Sequence, residues 1–244
     1  AIGVHAMGAN TTGTSNVAVG RGALDVNTTG SNNTAIGYEA LDAQTTGDQN
    51  TAIGSQALGA NTASYNTAVG YIAARDNTTG DGLVAVGYAA LIKNTTGNYN
   101  TAVGYDALGE VTDGDENTAV GYFALRQTTG GKNTAVGYIA MKDCTTGGYN
   151  TAIGREAGRD LTTGQENVFL GRSAGEQCTT GEQNTFIGAN AGRSGNPGGT
   201  VTTHDNRICM GDNNATDAYI KISWTVTSDA RDKTDITNFT PGLS

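Results

Sequence analysis

The sequence predicts an all-β fold, a parallel β-solenoid built from 17-residue coils. Three observations predict it. Glycine recurs at Gly3, Gly20, Gly37, Gly54, Gly70, Gly87, Gly104, Gly121, Gly137, Gly154, Gly171 and Gly188, in steps of 17 residues with two steps of 16. Each glycine closes a phrase such as Asn100-Thr-Ala-Val-Gly-Tyr105. No apolar period of 3.6 residues runs for even three turns, which argues against helix. A period of this length marks a stack in which each repeat touches its neighbours.

Each element of the coil follows from its residues. The residue before the glycine is aliphatic in all twelve coils, from Ile2 to Ile187, and β-branched in all but one. That pattern predicts a buried strand position. Three residues after the glycine stands alanine, from Ala6 to Ala191. A small residue in every layer predicts tight packing against another backbone or another chain. Leu or Met follows at Leu24, Leu41, Leu91, Leu108, Leu125 and Met141. The coil therefore reads as two short strands with a bend at the glycine, then a loop.

The loop is usually Thr-Thr-Gly, as at Thr95 to Gly97. Glycine there suits a return turn. The phrase asparagine follows at Asn16, Asn33, Asn50 and Asn66, where its amide can fix a turn and bond coil to coil as a ladder. Twelve coils at about 4.8 Å each predict a rod of roughly 55–60 Å.

Coils 10 to 12 depart from the pattern. Gly158, Gly175 and Gly192 replace the leucine, and Phe169 and Phe186 replace the phrase alanine. The packing is expected to change near Gly154. Asn206 to Gly211 reads as a degenerate thirteenth coil after an insertion around Ser194 to Gly199. Ile220, Ile222, Trp224 and Val226 alternate with polar residues, which predicts a strand with one apolar face. The expected division is a solenoid over residues 1–192, a capping coil and junction strand over 193–227, and a further segment from 228 to 244.

Composition narrows the function. Of 244 residues 37 are glycine and 36% are hydrophobic, which suits thin coils better than a thick globular core. Lys plus Arg number 14 against 23 Asp plus Glu, a net charge of −9. An acidic shaft repels nucleic acid and anionic membranes. No stretch approaches the roughly 18 apolar residues of a membrane span, so membrane insertion is not expected. Ala1 falls at the third position of a phrase, which predicts that the chain is part of a longer protein. Cys144 and Cys178 share a slot two coils apart, near 10 Å, too far for a bridge within one chain. They and Cys209 read as free thiols.

The phrase Asn-Thr-Ala-Val/Ile-Gly, with alanine three residues on, resembles the repeat of trimeric autotransporter adhesin heads. That resemblance covers residues 1–192 and implies a left-handed parallel β-roll with three chains side by side. The period of 17 exceeds that of the adhesin heads, so the loops differ. A second resemblance lies in Ser228-Asp229-Ala230-Arg231-Asp232-Lys233. It is similar to the start of the intramolecular chaperone of endosialidase-type phage tailspikes and tail fibres. It implies a trimer that cuts itself at the Ser228-Asp229 junction, with Ser228 as nucleophile and Lys233 as base. Asp232 departs from the usual leucine.

The candidate functions follow. The first is a structural and receptor-binding fibre of a phage tail, located on the virion, with other tail proteins and a host surface glycan or receptor as partners. The second is a bacterial surface adhesin or the fibre of an injection machine. The third is the shaft of a polysaccharide-degrading tailspike. Beyond self-cleavage no enzyme activity is expected. Tyr38, Tyr71, Tyr88, Tyr105, Tyr122 and Tyr138 follow the glycine and form a column that either packs on itself or contacts glycan. His5 and His204 are isolated, and no metal or cofactor is expected. Asp113, Asp115 and Glu116 read as a solvated acidic loop.

Overall fold

The structure is a computed structural model and describes residues 1–193, 201–212 and 214–215. Ala1–Asn214 form a compact unit. Among the described residues, twelve three-residue strands run from β1 (Val17–Val19) to β12 (Ile208–Met210) and join one sheet in chain order. Every neighbouring pair is parallel and in register, as between β9 (Thr151–Ile153) and β10 (Val168–Leu170), where Ile153 faces Leu170. Ile2 adds a bridge to Val19 below β1. The chain is a β-solenoid, one strand per coil.

The phrase glycine is required by the stacking. Gly104 has φ 139°, and a Cβ there would lie 2.4 Å from the carbonyl oxygen of Gly121 in the next coil. Any side chain at this position would hold the coils apart. A column of glycines follows at one per layer.

Among the described residues no second strand follows the glycine. The segment after the glycine is a run of left-handed bends. In the coil of Gly104, Asp106 and Leu108 have φ of 52° and 51°, and Tyr99, ahead of the strand, has 56°. Such a conformation disfavours residues with a Cβ. Hydrogen bonds between coils compensate: Tyr99 N–H donates to Asp81 O at 2.9 Å, Asp106 N–H to Tyr88 O at 2.9 Å, and Leu108 N–H to Ala124 O at 3.2 Å. A regular second strand would point these donors elsewhere.

The core is thin and made of small residues. The phrase alanine, as Ala102, points inward with Ala107 and Leu108, all fully buried. The invariant alanine column is thus enclosed by its own coil. Of the two neighbours the sequence allowed, backbone of the same chain is the one found. The aliphatic column before the glycine is corrected more sharply. It does not face the core but the outer face of the sheet, where Ile36, Ile53, Ile153, Leu170 and Ile187 are about two-fifths exposed. The reason is the two-residue alternation of a strand: the inward phrase alanine forces its neighbours outward.

The phrase asparagines form the expected ladder inside the corner. Asn133 N–H donates to Asn117 Oδ1 at 3.0 Å, and Asn133 Nδ2 to Gly147 O at 2.8 Å. Asn150 N–H then donates to Asn133 Oδ1 at 3.0 Å. A second ladder runs through Asn61, Asn77 and Asn94, with Nδ2-to-Oδ1 distances of 2.7 and 2.8 Å. Above Asn94 its slot passes to Val111, Thr128, Cys144, Leu161 and Cys178, all buried. Cys144 and Cys178 are free, with Leu161 between them in the slot.

The thirteenth coil is present in part. β12 pairs with β11 (Thr185–Ile187) in register, 23 residues later in the chain. The expected junction strand with Trp224, and the segment from 228 onward, lie outside the described residues.

Candidate functional site

Three surfaces of the rod carry repeated chemistry. The first is the tyrosine column. Tyr71, Tyr88, Tyr105, Tyr122 and Tyr138 stack one above another, with ring centroids 5.4, 4.8, 5.3 and 5.4 Å apart. Their spacing is that of the strands below, since each ring leaves its coil at the same place. The ring faces cover one another, so edges and hydroxyls face solvent. Tyr38 stands apart, because Ser55 occupies the coil between it and Tyr71. The Arg21 guanidinium lies 5.5 Å from the centre of the Tyr38 ring. A hydrogen bond with Glu39 raises the Tyr38 hydroxyl pKa above its ordinary value and lowers that of the carboxyl.

The second surface is the outer face of the sheet. Residues one and three before each glycine point outward, and no charged residue occurs in β1 to β11. Thr, or Val at Val17, Val84 and Val168, forms one column there. Val, Ile or Leu forms the other. The result is an apolar stripe along the whole rod, much longer than the isolated apolar residues of an ordinary surface.

The third surface is the loop corner. Six residues before each glycine stands a column of polar residues, including Thr14, Ser31, Asp48, Ser64, Asp81, Asn98 and Asp115. Most of their side chains accept a hydrogen bond from the backbone N–H of the coil below. Ser31 Oγ accepts from Thr14 at 3.1 Å, Asp48 Oδ1 from Ser31 at 2.7 Å, and Asp115 Oδ1 from Asn98 at 2.6 Å. The column is interrupted at Gly131 and Gly148, where a cleft of about 460 Å³ opens. Asp113, Asp115, Glu116, Lys132, Tyr149 and Gln165 line it. Lys132 Nζ lies 3.3 Å from the Tyr149 hydroxyl and 5.1 Å from the ring centre. That hydrogen bond, with Glu116 nearby, raises the Lys132 pKa.

The acidic loop expected to be merely solvated is thus one wall of a cleft. The signal was present in the sequence as two glycines at successive equivalents of a polar position, beside a 16-residue coil. It was obscured because glycine is common everywhere in this chain.

The charged groups elsewhere serve packing. Glu176 is nearly buried between Arg159 and Arg193, at 2.6 and 3.1 Å, in three successive coils. Arg126 joins Asp106 and Glu110 at 2.6 and 3.1 Å, and Lys93 completes that group through Glu110. Among the described residues no group of three or more His, Cys, Asp or Glu side chains could hold a metal ion. No described helix is long and apolar enough to cross a membrane. Burial pushes the Cys144 and Cys178 thiols up to about 11, which makes them poor nucleophiles. Ser228 and Lys233, the residues of the expected self-cleavage, lie outside the described residues.

No family model, curated protein or solved structure matches the chain.

Proposed function

We propose that the chain is the shaft of a trimeric attachment fibre, of the phage tail-fibre kind, whose partners are two further copies of itself and a host surface glycan. The apolar stripe on the outer sheet face carries this reading. A single thin coil leaves that stripe in water along its whole length. Three copies with parallel axes would bury it, at roughly 25 cal/mol per Å² of apolar surface removed. The strands repeat at one spacing, so copies in register present identical columns to one another.

The segment around Ser228 supports the same reading. A rod with nearly equal layers can pair one layer out of register at small cost. A trimeric chaperone at the end would set the register once, and its removal would trap the product kinetically. In this reading the Ser228 hydroxyl adds to the carbonyl carbon of its own peptide bond with Asp229 while Lys233 takes the hydroxyl proton. The C–N bond then breaks as Lys233 returns that proton to the Asp229 amine, and water opens the resulting Ser228 lactone to the carboxylate. A lysine desolvated in an interface has a lowered pKa and can act as that base.

Light scattering tests the shaft. The wild-type protein should have three times the chain mass. Replacing Val103 and Val120 together by lysine should give monomers that keep the β spectrum, because both side chains point away from the core. A wild-type monomer would sink the proposal. In the precursor, Ser228→Ala and Lys233→Ala should each leave an uncut chain on a denaturing gel. A wild-type precursor that also stays whole would remove the cleavage step and leave only the registration role.

A further inference from the structure

The loop-corner cleft brings together two features over consecutive coils. The first is a gap in a hydrogen-bonded column. Along that column, a backbone N–H of one coil is taken by the side chain of the coil above. Asp48 N–H, for example, donates to Ser64 Oγ at 3.0 Å, and Glu182 N–H to Asp205 Oδ1 at 2.8 Å. Above Asp115 and Gly131 stand Gly131 and Gly148, which have no side chain to receive it, and above Gly148 and Gln165 the side chains of Gln165 and Glu182 do not take it. The N–H groups of Asp115, Gly131, Gly148 and Gln165 have no acceptor among the described residues. All four residues line the cleft.

The second feature is the wall chemistry. Asp113, Asp115 and Glu116 supply acceptors on one side, and Tyr149, which is 57% exposed, supplies on the other an aromatic ring with Lys132 over one face of it. Gly148 lies on the floor. A Cβ there would meet only Gly131 O, at 3.2 Å, with open space beyond.

We infer that this cleft binds a neutral oligosaccharide running along the rod axis. A sugar hydroxyl both accepts and donates. It can take an N–H from the column and give its own proton to a carboxylate. An anionic polymer would suit the N–H groups and Lys132 but meet three carboxylates against that one lysine and a chain of net charge −9, which disfavours it. A bare metal cation finds no group of three carboxylates placed to hold it among the described residues, and would leave the N–H groups unused. The apolar face of a pyranose ring can lie on Tyr149, and successive N–H groups repeat at the coil spacing of about 4.8 Å. The inference rests on the glycan-binding part of the proposed function and assigns it to a site away from the tyrosine column.

The test is calorimetric titration of the intact protein with hexamers of glucose, mannose and galactose, beside oligogalacturonate and calcium chloride alone. A neutral hexamer should bind. Gly148→Ser should weaken it about tenfold or more, because the new hydroxyl takes the Gly131 N–H as Ser64 takes that of Asp48, and fills the floor. Tyr149→Ala should weaken it too, whereas Tyr105→Ala in the column should not. Thermal melts of the variants confirm that the coil is intact. Lack of binding by every neutral hexamer overturns the inference. So does binding of oligogalacturonate or calcium alone, or unchanged affinity in Gly148→Ser. Loss on Tyr105→Ala alone would move the glycan to the tyrosine column. Light scattering on the same samples reports the trimer separately, so a sugar-binding monomer would sink the fibre reading and leave the cleft.

Discussion

The ring of Phe169 occupies the space that a side chain on Gly175 would need. A Cβ on Gly175 would lie 2.1 Å from Phe169 Cδ1, and one on Gly158 would lie 2.6 Å from Cδ2. In the regular coils an inward alanine is paired with an inward leucine, as Ala102 with Leu108. Here the volumes are exchanged: the alanine has become phenylalanine and the leucine glycine. Phe186 repeats the exchange with Gly192 and stacks on Phe169 at 5.5 Å. The strands stay in register through the change.

That exchange makes a measurable pair. Phe169→Ala should cost about 3–5 kcal/mol by opening a cavity. Gly175→Leu alone should also destabilise, because the leucine meets the ring. The double variant restores the Ala–Leu pair and should be more stable than either single variant. Gly175 already has φ 59°, which the buried leucines share. Denaturant melts of the four proteins give the coupling, and strictly additive losses would refute the exchange.

The phrase glycine should tolerate no side chain. Gly104→Ala places a Cβ against Gly121 O in a backbone conformation already confined to glycine. It should cost more than about 3 kcal/mol. Gly97→Ala offers no control, since its Cβ would also meet backbone. A tolerant control is Thr101→Val, which three other coils already resemble at Val17, Val84 and Val168. A Gly104→Ala melt equal to wild type would mean that the coils are stacked differently.

The asparagine ladder should fail in a directional way. Asn133→Ala removes the bond to Gly147 O and leaves the buried Asn150 N–H without its acceptor, a loss of about 1–3 kcal/mol. Hydrogen exchange should therefore quicken at Asn150, in the coil above. Exchange quickened at Asn133 but unchanged at Asn150 would show that the acceptor is not the ladder.

The buried thiols predict a pH dependence. The folded state holds Cys144 and Cys178 protonated to about 11, while the unfolded value is near 9. The unfolded chain then binds fewer protons between these values, so stability is full below about pH 9 and falls as pH rises toward 11. Cys144→Ala and Cys178→Ala together should flatten that fall. At pH 8 an aromatic disulfide reagent should leave both thiols unmodified until denaturant is added. Rapid labelling of either in the folded protein would contradict their burial.

The sequence by itself determined the repeat, the single glycine per layer, the parallel stack and the asparagine ladder. Each of these depends on one residue type recurring at one position, and backbone sterics leave that residue little choice. Gly104 shows why: its carbonyl-to-Cβ clash is independent of the rest of the coil. Only the tertiary structure decided which way the residues face. Val103 and Ala102 are both small and apolar, and periodicity alone assigned the larger one to the core. The coil is too thin for that. With Leu108 and Ala107 already inside, only alanine fits on the strand, and the β-branched column turns outward. The pattern suggests a second strand where none forms, because φ near 50° at Leu108 is unfavourable locally and is held by bonds to the neighbouring coil. The cleft at Gly131 and Gly148 needed the structure for the same reason. A missing side chain becomes a site only when stacking brings the unpaired donors of adjacent coils into one column.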